Sequence, residues 1–190
     1  MKQINIAGIS GSLRKKSLNT GLLKSLYQFL PPDTNLTMLN IADIPMYNGD
    51  LDLPSVQERP EAVTLFRQQL GDADAIVIVS PEYNYSIPGV LKNAIDWASR
   101  GKDSPLLNKA VGLMGVTPGM WGTSKMQMAF LPVFKYLSMK LVDKPEILIA
   151  QAKNKFNEEG LLTDSSTIEL VKQHLDALRK LAVVKNPAES

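Results

Sequence analysis

Residues 4–30, INIAGISGSLRKKSLNTGLLKSLYQFL, decide how the rest of the chain is read. Ile4, Ile6, Ala7 and Ile9 form a short apolar run rich in β-branched residues, which predicts a strand buried on both faces. From Leu18 the period changes. Leu18, Leu22, Leu26 and Leu30 recur every fourth residue, which predicts a helix over 18–30 that ends at Pro31 and Pro32. Between the two lies GSLRKKSLN (11–19), small, polar and cationic. Such a loop offers backbone N–H groups, hydroxyls and positive charge in one place, as an anion such as phosphate requires. The alternative at this point is a surface turn.

The same change of period recurs along the chain. NLTMLN (35–40), DAIVIVS (74–80), KAVGLMGV (109–116) and PEILIA (145–150) read as strands. PEAVTLFRQQL (60–70), GVLKNAIDWAS (89–99) and TSKMQMAFLPVFKYL (123–137) read as helices, the last interrupted near Pro132. DSSTIELVKQHLDALRKLA (164–182) reads as a helix with a serine cap. Five strands alternating with five helices predict an α/β sandwich of three layers, a parallel sheet of order 2-1-3-4-5 with helices on both faces. With no repeat, linker or low-complexity tract, residues 1–190 are expected to form one domain, large enough to bury roughly 70% of its unfolded surface.

In such a sheet, ligands sit outside the carboxyl ends of the strands. Three polar loops fall there: GSLRKKSLN, SPEYNYSIPG (80–89) and VTPGMWG (116–122). Gly8 and Gly11 are three apart with Ser10 between, and Leu13 stands where a Walker loop needs glycine, so neither nucleotide fingerprint is present. A monophosphate fits better, held by Ser10, Ser12, Ser17, Asn19 and loop N–H groups, with Arg14 supplying charge. Tyr83 and Tyr85 offer aromatic surface, and the backbone N–H groups of 82–86 can reach the polar side of a flavin ring, with Pro81 and Pro88 stiffening the loop. Together these predict FMN. The alternative for the tyrosines is packing against a helix or a second subunit.

Composition narrows the function. The chain has no cysteine, which excludes disulfides, thiolate nucleophiles and iron–sulfur clusters, and no metal site is expected. Lys and Arg total 21 against 19 Asp and Glu without a block of like charge, which argues against nucleic acid and against an acidic electron carrier. No run suits a membrane span or a signal peptide, so the expectation is a cytoplasmic protein. The single histidine, His174, is expected to be a solvated or half-buried helix residue.

GSLRKKSLN together with SPEYNYSIPGVLKNAIDWASR (80–100) resembles the NAD(P)H-dependent FMN reductase family, close to bacterial chromate and quinone reductases. The likeness includes IADIPMYN (41–48) and KPEIL (144–148) and weakens after about residue 150. It implies a flavodoxin-like fold. It also implies that Ser10, Ser12, Leu13, Arg14, Ser17 and Asn19 surround the FMN phosphate, and that Pro81, Glu82, Tyr83, Asn84, Tyr85 and Ser86 border the ring. Thr117 and Gly119 belong to a third loop that departs from the serine-rich form expected of the family. A homodimer or homotetramer is implied, with the 89–99 helix and the helix after 122 at subunit contacts. Met120, Trp121, Met126 and Met128 are candidates either for that interface or for the core.

The expected activity is hydride transfer from NADPH or NADH to flavin N5, followed by reduction of a quinone or another flat acceptor in a ping-pong cycle; chromate, azo and nitro compounds are further candidates. Solvent can supply the protons, so no catalytic side chain is assigned. Lys15, Lys16, Arg100 and Lys102 are candidates for attracting the nicotinamide dinucleotide phosphates. A flavin-binding electron carrier and a non-enzymatic regulatory protein are the alternatives.

Overall fold

The computed structural model describes residues 3–183. Its sheet is parallel throughout, formed by β1 (Ile4–Ser10), β2 (Thr34–Leu39), β3 (Ala75–Val79), β4 (Ala110–Val116), β5 (Lys140–Leu141) and β6 (Ile147–Ile149). The order is β2-β1-β3-β4-β5, with β6 also on β4. The helices are α1 (Leu18–Ser25), α2 (Glu61–Asp72), α3 (Gly89–Ala98), α4 (Ser124–Tyr136) and α5 (Ser165–Val183). This is the expected flavodoxin-like sandwich.

Side-chain alternation in the central strand sorts the two cores. Ala75, Val77 and Val79 of β3 face Leu22, Leu23 and Leu26 of the first helical segment and Val171, Leu175 and Leu178 of α5. Ile76 and Ile78 point the other way, toward Phe66 of α2, Trp97 of α3 and Phe130 of α4. A strand buried on both faces needs apolar residues at every position, and all five of β3 are buried.

Several expectations are corrected. The edge beyond β4 is two short strands rather than one over 145–150: β5 pairs with Ala110 and Val111, and β6 with Met114–Val116. Pro145 lies in the gap and has no N–H to give a ladder. The first helix stops at Ser25 and tightens into a 3₁₀ turn at 26–28. Helix α4 runs unbroken through Pro132, its two halves joined by Phe130 and Phe134, stacked 5.0 Å apart. The last helix is capped by an aspartate rather than a serine. Asp164 Oδ1 accepts from the Thr167 hydroxyl and N–H and from the Ser166 hydroxyl, and these bonds hold its carboxyl down at about 2.

His174 is neither solvated nor half-buried. It is 1% exposed, packed over Gly112 of β4, with Nδ1 donating to the Pro145 carbonyl at 2.7 Å. Met126 is likewise fully buried, which settles it as core, whereas Met120, Trp121 and Met128 are exposed. No helix among the described residues is long and apolar enough to cross a membrane.

Candidate active site

The carboxyl ends of β1, β3 and β4 close on one another with almost no space between backbones. A Cβ on Gly11 would collide with the Ser80 side chain, and one on Gly115 with the Thr123 hydroxyl and the Ser80 carbonyl. Glycine is therefore required at both positions for the three loops to share one edge. They do share it. A cleft of about 220 Å³ is lined by Ser12, Arg14, Lys16, Ser17, Leu18 and Asn19 from the first loop, Pro81, Glu82 and Tyr83 from the second, and Val116, Thr117 and Pro118 from the third.

The first loop is held by its own hydroxyls. Ser17 caps α1 by accepting from Thr20 N–H, Ser12 Oγ accepts from Arg14 N–H, and the Ser10 and Thr20 hydroxyls are 2.7 Å apart. Asn19, 4% exposed, is committed to β4: Nδ2 donates to the Val116 carbonyl at 3.0 Å and Oδ1 accepts from Val116 N–H at 2.8 Å. The backbone N–H groups of Leu13, Lys15, Lys16, Leu18 and Asn19 carry no hydrogen bond among the described residues. Leu18 and Asn19 are the first two residues of α1, whose first turn has no acidic side chain, so the helix dipole there is uncompensated. Arg14 and Lys16 are exposed beside it.

The second loop is a tight reverse turn. Tyr83 and Ser86 exchange N–H to carbonyl bonds at 3.1 and 3.0 Å, with Asn84 at φ 49° and Tyr85 at φ 62° between them. Positive φ at both central residues is the primed turn geometry, which ordinarily places glycine where Tyr85 stands. The N–H groups of Tyr83 and Ser86 are thus spent within the turn, leaving those of Glu82, Asn84 and Tyr85 for a ligand. Both tyrosine rings are exposed.

Glu82 is tied down through one carboxylate oxygen. Its Oε2 accepts from the N–H groups of Lys125 and Met126, each at 3.0 Å, and so caps α4, whose own Thr123 makes no side-chain cap. Lys125 Nζ in turn lies 4.9 Å from the centre of the Tyr85 ring. Nothing local in the sequence signals either contact, because the partners are some forty residues apart.

Other expected residues fall away from the cleft. Ser10, Leu13, Asn84, Tyr85, Ser86 and Gly119 are outside its lining. Gly119 N–H is turned to the Thr117 hydroxyl at 3.2 Å, and its carbonyl accepts from Gln151. Arg100 and Lys102 are not brought to this edge. They follow the far end of α3, about 15 Å along the helix from Gly89, and the Arg100 guanidinium stacks on Tyr47 at 4.9 Å.

A first loop with unspent N–H groups and exposed cations, beside an exposed aromatic turn, fits a phosphate-bearing flat cofactor such as FMN. The single carboxylate of the lining, Glu82, is drawn through one oxygen to the start of α4, and Arg14 and Lys16 outnumber it. The comparisons agree. The chain is similar to an NAD(P)H-dependent FMN reductase of Pseudomonas aeruginosa, 40% identical over 176 residues that cover 93% of this chain and 94% of that one. It is 35% identical to a quinone reductase of Escherichia coli, at 93% and 94% coverage. Among solved structures, the flavoenzyme NAD(P)H:(acceptor) oxidoreductase FerB of Paracoccus denitrificans superposes with a TM-score of 0.83 and 31% identity, covering 94% of this chain and 97% of that one. A profile of NADPH-dependent FMN reductases matches residues 4–154, and with that span and these relatives the chain belongs to the NADPH-dependent FMN reductase family.

Proposed function

We propose that this protein is an FMN-dependent NAD(P)H oxidoreductase that reduces quinones or similarly flat acceptors. The observation that carries the reading is the cleft itself: three strand ends bring an anion-binding loop and an exposed aromatic turn to one edge. FMN, when bound, supplies the capacity to take a hydride from the nicotinamide and pass reducing equivalents to the acceptor.

The chain's part is to bind and position. The N–H groups at the start of α1, with Arg14 and Lys16, hold the phosphate. Ser10, Ser12 and Ser17 fix the loop through the bonds described, and Asn19 anchors it to β4. The N–H groups of Glu82, Asn84 and Tyr85 recognise the polar rim of the ring, and Thr117 and Pro118 close the opposite wall. Solvent can reach an open cleft of this kind and delivers the quinone's protons, so no side chain is assigned as a catalytic acid or base.

The chain acts as a single domain over residues 1–190 and works in the cytoplasm as a homodimer or homotetramer. Supporting the assembly, Met120, Trp121, Met128 and Tyr136 leave a largely apolar surface on α4 and the loop before it, each more than 60% exposed.

The test is an anaerobic titration of FMN-loaded protein with NADPH and then NADH, following the visible flavin absorbance. Bleaching that a quinone reverses supports the proposal and ranks the donors. Bound FMN that stays oxidised with both donors overturns it in favour of a carrier or regulatory protein.

A further inference from the structure

Lys125 stands where helix electrostatics disfavour it. It is the second residue of α4, at the positive end of the helix dipole, where an acidic side chain would stabilise the helix and a cation opposes it. The first turn of α4 contains no acid of its own, and Lys125 forms no ion pair with a carboxylate among the described residues. What holds its ammonium is the face of Tyr85, at 4.9 Å. That ring is 70% exposed and sits on a backbone at φ 62°, a conformation an aromatic residue adopts only against resistance. Glu82 then locks turn and helix together by binding Lys125 N–H and Met126 N–H.

Two departures from local preference, the cation at the helix start and the strained tyrosine, thus join the Glu82 cap in one result, an ammonium over the tip of the turn that borders the cleft. A helix cap alone would need only Glu82. A surface lysine alone would need neither a strained tyrosine nor the unfavourable helix position. With Arg14 and Lys16 of the lining, this charge outnumbers the one carboxylate there, Glu82, so the site attracts a ligand that is planar and negatively charged.

We propose that Lys125 is a specificity-determining residue that biases the acceptor site toward flat acceptors carrying a negative charge, with Tyr85 and Glu82 as the residues that position it. The inference rests on the flavin-reductase reading of the same site. It predicts an anionic quinone, such as a naphthoquinone sulfonate, to be favoured over a neutral quinone of equal size.

The test compares the parent with Lys125→Gln and Lys125→Arg as FMN-loaded, oxidised protein without any nicotinamide. Binding of 1,4-naphthoquinone-2-sulfonate and of neutral 2-methyl-1,4-naphthoquinone is measured by calorimetry. In Lys125→Gln the sulfonate-to-neutral affinity ratio falls about fivefold, the scale of one partly exposed charge pair; Lys125→Arg retains the parent's ratio, and added salt lowers the parent's preference. An unchanged ratio in Lys125→Gln, or failure of the parent to bind the sulfonate, overturns the proposal. Because no electron donor is present, this outcome is separate from the failure of NADPH to bleach the flavin, which would remove the reductase reading instead.

Discussion

Asn19→Ala tests whether the first loop is built as described. The amide of Asn19 satisfies both the N–H and the carbonyl of Val116, in a place where the side chain is 4% exposed. Alanine leaves both backbone groups at the end of β4 unpaired. A buried polar group stripped of its partner costs about 1–3 kcal/mol, and two of them, with some relaxation toward the cleft, about 2–4 kcal/mol. At roughly 2–4 °C per kcal/mol for a chain of this size, the Tm falls by about 5–15 °C.

The assay is unfolding of the FMN-free protein followed by far-ultraviolet circular dichroism, by heat for the Tm and by urea at constant slope for the free energy. The FMN-free form matters because a ligand that binds the native state adds its own stabilisation. If Asn19 served only as a phosphate ligand, the substitution would leave FMN-free stability within about 0.5 kcal/mol of the parent and weaken FMN binding alone. That result would refute the strap to β4.

Three further outcomes follow from the same contacts. Arg14→Ala is expected to weaken FMN binding about tenfold, as the loss of a charged donor to phosphate does, measured by flavin fluorescence; unchanged affinity removes Arg14 from the phosphate site. For His174, burial holds the imidazole below its ordinary value of 6.5, although the bond to Pro145 works the other way. The unfolded chain therefore takes up a proton first, so stability is fully present above about pH 6.5 and declines as pH falls below it, by at most about 1.4 kcal/mol per pH unit; pH-resolved urea melts check this, and His174→Leu should remove that part of the slope. Gly115→Ala drives a methyl group into the Thr123 hydroxyl and the Ser80 carbonyl, and overpacking of this kind costs about 1–3 kcal/mol; an unaltered thermal midpoint would mean that β3 and β4 can part at their ends.

The elements were legible where one period governs a segment, and less so where a long-range partner decides. The β3 run and the leucine stripe of α1 carry their own signal, and the parallel order follows from their alternation with helices. Helix α4 reads as broken at Pro132 because a proline removes one bond locally, while the burial of Phe130 and Phe134 in the core with Phe66 and Trp97, which holds the helix on both sides of it, is a tertiary matter. His174 is a case where the spacing held more than the expectation used: it stands at i+3 from Val171 and i−4 from Leu178, on the buried stripe of α5, while the space it fills is set by Gly112 on another element. Composition picked out the three loops that share the edge, but it could not say which donors were already spent.

That distinction changes what the site residues are for. Of the polar residues expected around the cofactor, Asn19 uses its side chain on β4, Ser17 on its own helix and Glu82 on α4. Each bond fixes a loop so that main-chain N–H groups are left unspent beside the cleft. A recognition surface made of backbone donors is insensitive to the identity of most side chains around it, yet depends on the few that hold the backbone in place. Substitution of those holding residues should therefore weaken cofactor binding together with stability, whereas Arg14, whose exposed side chain holds nothing else among the described residues, should lose affinity without losing fold. Measuring both quantities for Asn19→Ala and Arg14→Ala separates residues that build the cleft from residues that only meet its ligand.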